Sequence, residues 1–309
     1  MAVRLGLGLP QARQYDLGRD VPDVARAAEA TGYESLWVYE RILVPEPAGQ
    51  GLYGVEGRPW PDHYRGVADP LVTLTLAAAA TRTARLGTSV LVAPLHLPFQ
   101  LARTLATLDA ASGGRVVAGF GTGWSHDEYA AASVRPYAER GQVLDEVIEV
   151  CRAVWGPDPV AYDGRFTRIV SSVVGPKPAR PIPVLLAAGS RKAMTRLVDH
   201  ADGWLPVAAG VDQLLTQRRR LAELAAERGR TRPIRTVLRA NARHSARAHG
   251  GTGRLPLHGS VDQIVEDLAV YAATSPDDIV VDLQSTLRDA GELKDVAAEV
   301  YEKARAAGI

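Results

Sequence analysis

Glu40-Arg41, His96, the glycine run from Gly119 to Gly123 and the segment Ala187–Lys192 combine residue types that can do chemistry. An adjacent carboxylate and guanidinium can set proton or hydride geometry; as a rim ion pair they would contribute only about 0–1 kcal/mol. His96 titrates near neutral pH and suits acid–base work, or is a loop histidine in solvent. The glycines are spaced G-x-G-x-G. A dinucleotide fingerprint needs a third glycine that opens a helix, and Trp124 and His126 stand where that helix should begin. The run therefore reads as a strand ending in a loop whose backbone comes close to something, with Trp124 as a cofactor wall or as core. In Ala187–Lys192, Gly189 permits close backbone approach, Ser190 is a helix N-cap, and Arg191 and Lys192 fall in the first turn. Cations there oppose the helix dipole, a conflict that a bound phosphate would remove. The plainer reading is an ordinary cap with solvated charges.

Other chemistries are poorly served. The four lysines, Lys177, Lys192, Lys294 and Lys303, avoid the ends of apolar runs, which disfavours a Schiff base. The seven histidines are scattered without a helical pair, so no metal site is expected. Cys151 is the one cysteine; it lies on a helix's apolar face, which excludes an internal disulfide and fits a reducing compartment. Lys and Arg total 36 against 35 Asp and Glu, so neither nucleic acid nor a membrane surface is an expected partner. With no signal-like start and no apolar stretch long enough to span a bilayer, a cytoplasmic location is expected.

The elements that must hold these residues alternate along the chain. Apolar runs at 3–9, 33–39, 84–92, 114–120, 182–188, 203–208, 234–240 and 278–283 read as eight strands. Between them lie helix signals: a start at Asp20 with Pro22 in the first turn and a stop at Gly32, Asp69-Pro70, Pro98, a long helix over Pro136–Trp155, the Ser190 cap, the Leu214, Leu221 and Leu224 stripe, and the Ser260/Gln263 capping box. Eight strand–helix units with runs apolar on both faces predict an α/β fold, a (β/α)8 TIM barrel forming one domain over 1–309; a doubly wound sheet is the alternative. The long strand-to-helix connections, 40–68 and 242–259, lie on the face where barrel active sites sit and are expected to be lids. An insertion at 157–180, before strand five, carries a hairpin signal at Asp163-Gly164 between Tyr162 and Phe166.

Five segments taken in order, "ESLWVYERILVP", "RLGTSVLVAPLHLPFQLARTLATLD", "GRVVAGFGTGWSHDEYAA", "IPVLLAAGSRKAMTRLVDHADGW" and "GSVDQIVEDL", resemble the luciferase-like monooxygenase superfamily. Within it they are most similar to coenzyme F420-dependent oxidoreductases. The resemblance implies the same barrel, a small-molecule substrate, and a non-proline cis peptide at Ser89-Val90 behind the cofactor ring. It assigns Tyr39, Val92 and Ala93 to cofactor binding, Thr122, Gly123 and Asp127 to the strand-four loop beside the ring, and Ala188, Gly189, Ser190 and Arg191 to a phosphate-binding turn. Glu40 and Arg41 fall where the family places a ring-contacting pair, with His96 completing a proton relay. Two departures stand out: Arg41 occupies the place of a histidine, and Trp124 that of a catalytic glutamate in the sugar-phosphate enzymes. Three functions follow as expectations. The first is hydride transfer between F420 and a small organic substrate. The second is an FMN-dependent monooxygenase served by a flavin reductase, and the third a non-catalytic flavin-binding barrel. A homodimer is the expected assembly.

Overall fold

The computed structural model describes residues 2–251 and 253–309, leaving Thr252, inside the expected 242–259 lid, outside the described residues. Its main sheet has eight parallel strands: β1 (Arg4–Gly8), β2 (Ser35–Val38), β3 (Arg85–Thr88), β4 (Val116–Gly121), β5 (Val184–Leu186), β6 (Gly203–Trp204), β7 (Arg235–Asn241) and β8 (Asp278–Asp282). Each pairs with the next, and β8 pairs back onto β1. The ring is a closed (β/α)8 barrel, which settles against the doubly wound alternative because an open sheet would leave two unpaired edges. Among the described residues the helices are α1 (Leu17–Thr31), α2 (Pro70–Ala80), α3 (Pro98–Ser112), α4 (His126–Ala132), α5 (Arg140–Trp155), α6 (Arg191–His200), α7 (Val211–Glu227), α8 (Val261–Ala272) and α9 (Ala290–Ala306). None of these is long and apolar enough to cross a membrane.

Local chemistry explains most boundaries. Asp69 accepts from the Leu71 and Val72 amides to open α2, Ser260 and Gln263 form a reciprocal box on α8, and Gly32 ends α1 at φ 116°. Three boundaries differ from expectation. Helix α1 begins at Leu17, not Asp20, because Asp16 accepts from the Arg19 amide while Asp20 accepts from the Asp16 amide, moving the start almost a turn earlier. The helix expected from Pro136 begins at Arg140, after a 3-10 turn at Tyr137–Glu139. The third apolar run is broken: β3 stops at Thr88, Ser89-Val90 is cis as the resemblance implied, and Leu91–Val92 pairs with Phe120 and Gly121 at the end of β4.

Trp37, 1% exposed, fills the barrel with Val117, Leu185, Leu205, Val237 and Val280. The indole fits because its neighbours are glycines: an added Cβ would fall 2.4 Å from it at Gly87 and 2.8 Å at Gly6. At the amino-terminal end of the strands Asp278, fully buried, receives Arg4 at 3.0 Å, Arg85 at 2.6 Å and Arg235 at 2.6 Å. That end reads as stability and the opposite end as function. The insertion is the expected antiparallel hairpin, Val160–Asp163 with Arg168–Ser172, docked on α5 through Glu146, which accepts from the Phe166 amide at 2.9 Å.

Candidate active site

At the carboxyl end of β2 the chain is clamped before it enters the mouth. Gln11 accepts from the Tyr39 amide at 2.8 Å and donates to the Tyr39 carbonyl at 3.0 Å. The next two residues then turn inward and are buried. Glu40 Oε2 accepts from the Val92 amide at 2.6 Å, and Oε1 lies 2.8 Å from His96 Nε2. A carboxylate can only accept, so Nε2 carries the shared proton. Burial opposes the imidazolium, but the hydrogen bond and charge of Glu40 outweigh it and hold His96 above its usual range. The structure thus brings two of the sequence-expected residues, 56 positions apart, into one acid–base pair.

Arg41 turns the other way. Its Nε is 3.2 Å from Glu128 Oε1, and both side chains are almost fully buried. Burial raises the Glu128 carboxyl above the usual carboxylate range, with Arg41 pulling it back. Glu128 was not among the expected site residues. The Ser125-x-x-Glu128 spacing suggests a capping box, which would turn the carboxylate back on its own helix. Only half of the box forms: Ser125 accepts from the Glu128 amide, while the Glu128 side chain crosses to Arg41 and the Ile42 amide.

The strand-four loop lies beside this pair. Gly123 has φ 69°, and a Cβ there would sit 2.5 Å from Val92, so glycine alone lets the loop pass against the strand-three extension. The Tyr129 hydroxyl donates to the Thr122 carbonyl. Trp124 packs at 4.7 Å from Trp60 and 5.2 Å from Tyr53 between ring centroids, both from the 40–68 connection. Gln50 ties that connection down, donating to the Trp124 carbonyl at 3.0 Å and accepting from the His126 amide at 3.0 Å.

Beyond β5, Ser190 caps α6 by accepting from the Ala193 amide at 3.3 Å. A cavity of about 260 Å³ opens beside it, lined by Ala188, Gly189, Leu205, Pro206, Gly210 and Gln213 among others. A Cβ on Gly189 would meet nothing within 4 Å, so the open backbone there serves no packing inside the chain. Arg191 does not converge on this turn: its guanidinium lies 3.1 Å from Glu227 of α7, both exposed, and this carboxylate offsets the unfavourable first-turn charge without a bound phosphate. At the barrel centre Arg239 donates to the Ser89 carbonyl at 2.6 Å, pairs with Asp282, and lies 5.0 Å from the Tyr39 ring.

Residues 6–249 match the sequence profile described as luciferase-like monooxygenase. The chain belongs to the luciferase-like monooxygenase family. An uncharacterized protein of Mycobacterium tuberculosis is 38% identical over 201 residues, 64% of this chain and 71% of that one. An F420-dependent glucose-6-phosphate dehydrogenase of Kineococcus radiotolerans is 30% identical over 198 residues, 63% of this chain and 53% of that one. The coenzyme F420-dependent tetrahydromethanopterin reductase of Methanopyrus kandleri has a similar fold, with a TM-score of 0.75 at 16% identity over the full length of both chains.

Among the described residues five buried side-chain polar atoms lack a partner, and four of them, on Tyr39, Arg41, Asp127 and Glu128, belong to the mouth. Buried polar atoms are seldom left unpaired, so this clustering makes the mouth the candidate site for a polar ligand. Among the described residues no group of three or more His, Cys, Asp or Glu side chains is arranged to hold a metal ion.

Proposed function

We propose that the protein is an F420-dependent oxidoreductase that moves a hydride between the deazaflavin and a small organic substrate. The observation that carries this reading is the Glu40–His96 pair at the barrel mouth, joined at 2.8 Å, with Glu40 buried and the His96 ring a quarter exposed. The F420-dependent relative named above supports the cofactor assignment. Tyr39, Ser89, Val90, Val92 and Ala93 would hold the ring from the strand-two and strand-three side, Thr122, Gly123 and Asp127 would border it, and the turn Ala188, Gly189 and Ser190 would take the phosphate without Arg191, which is turned to Glu227. When bound, the deazaflavin supplies a carbon centre that gives or accepts a hydride.

The chain's own residues supply position and protons. Glu40 fixes the His96 ring and raises its proton affinity, so that the imidazole can exchange a proton as the substrate's oxygen gains or loses one. The Val92 amide holds the second oxygen of Glu40, which keeps the carboxylate from turning away. Gln50 closes the 40–68 connection onto the Trp124 carbonyl and the His126 amide.

Oxygen dependence tests the proposal. Oxidation of reduced F420 by an aldehyde or ketone panel under strict anaerobiosis is the expected result. Turnover seen only with reduced FMN, a flavin reductase and oxygen would instead establish the monooxygenase reading that the family description suggests.

A further inference from the structure

Arg41 has a setting that the proton-handling pair does not explain. Its Cζ lies 5.0 Å from the Trp124 ring centroid, 5.4 Å from Tyr64 and 5.5 Å from Trp60, so the guanidinium is boxed by three aromatic rings. Its side chain is 6% exposed, and Nη1 is buried with no acceptor. An arginine N–H left without an acceptor in a dry site is costly, and native structures rarely tolerate it unless a ligand supplies the missing atom.

Two properties of the box narrow what that ligand is. Its walls are indole and phenol faces, which favour an apolar or aromatic body. Its charge is already balanced, because Glu128 pairs with Arg41, and Glu40 adds a further carboxylate nearby. A phosphate dianion or a carboxylate entering here would add unbalanced negative charge beside two pairs, Arg41–Glu128 and His96–Glu40, whose charges already offset each other. A neutral oxygen can take the Nη1 hydrogen without changing the balance.

We propose that the Arg41 box recognises a neutral carbonyl group on a small apolar or aromatic molecule, with the carbonyl oxygen accepting from Arg41 Nη1. Calling that molecule the substrate rests on the oxidoreductase reading; the binding site itself does not. Trp60 and Tyr64 belong to the 40–68 connection, so entry requires that segment to lift.

Calorimetric titration of the full chain, with and without F420, compares cyclohexanone, methylcyclohexane, cyclohexanecarboxylate and glucose 6-phosphate. Cyclohexanone is expected to bind about tenfold or more tightly than the other three, the margin set by one hydrogen bond to a charged donor. In Arg41→Gln/Glu128→Gln, which removes both charges together and strands neither, the preference for cyclohexanone over methylcyclohexane should disappear. A readout in the unmodified chain guards against misfolding of that variant: cyclohexanone should alter the emission of Trp60 and Trp124, and Trp124→Phe should reduce the change. The proposal is overturned by equal binding of cyclohexanone and methylcyclohexane, by tighter binding of either anion, or by unchanged cyclohexanone preference in the folded double variant. Cyclohexanone binding without F420 binding would keep the box and remove the oxidoreductase; F420 turnover with no cyclohexanone preference would do the reverse.

Discussion

Glu40 joins the end of β2 to the stretch after β3: its amide donates to the Val90 carbonyl at 3.1 Å, and its carboxylate holds the Val92 amide and His96. Glu40→Gln keeps the shape but weakens the grip on the imidazolium. Turnover should fall by about 10²-fold or more, the usual loss when acid–base assistance is removed, while cofactor affinity stays within a fewfold; steady-state kinetics and a binding titration separate the two. His96 also leaves a mark on stability. Its folded pKa lies above the unfolded value, so the stabilisation is fully present below about 6.5, the ordinary imidazole pKa, and is lost as pH rises through the folded value. The difference in Tm between wild type and His96→Gln should therefore be largest at acid pH and shrink as pH rises. A difference that grew with pH would show that Glu40 does not favour the imidazolium.

At the scale of elements, Gln50 contributes two of the bonds that hold the 40–68 connection against the strand-four loop, and the proposed carbonyl site requires that connection to open. Gln50→Ala removes two of them and should accelerate amide exchange across residues 48–66 by about tenfold, as expected for one or two net hydrogen bonds. Exchange that stayed unchanged would mean that aromatic packing alone closes the segment. What was legible in the sequence follows the same division between local and distant causes. The strands showed as short runs apolar on both faces, and the Asp69, Ser190 and Ser260 caps showed as single residues, because each depends on neighbours a few positions away. The start of α1 was misplaced because Asp16 and Asp20 are both good caps, and only their reciprocal bonds decide between them. Glu40, Arg41 and His96 were recognisable as candidates, but not the division of labour among them. Arg41 pairs with Glu128, 87 positions on, and that contact exists only because closing the barrel sets the loops after β2 and β4 side by side. The three rings around Arg41 were hidden for the same reason.

For the whole molecule, the two ends of the barrel divide stability from chemistry. Asp278 gathers three arginines at the end remote from the mouth, and Asp278→Asn would leave those cations facing one another. Asp278 is buried but its arginine partners are 26–41% exposed, so the loss in unfolding free energy should be about 1–3 kcal/mol, the range for hydrogen bonds to a charged group, measured by denaturant titration, with kcat unchanged at temperatures where the variant is folded. At the opposite end, four unpartnered buried polar atoms and the open Gly189 turn are arranged around one mouth, where the proposed function puts cofactor and substrate. The central claim is that this cofactor is F420. Titrating the purified apoprotein with F420 and, in parallel, with FMN tests it most directly, with binding followed by the fluorescence of each cofactor. Saturable F420 binding that is tighter than FMN binding is expected; tight FMN binding with no measurable F420 binding would contradict it.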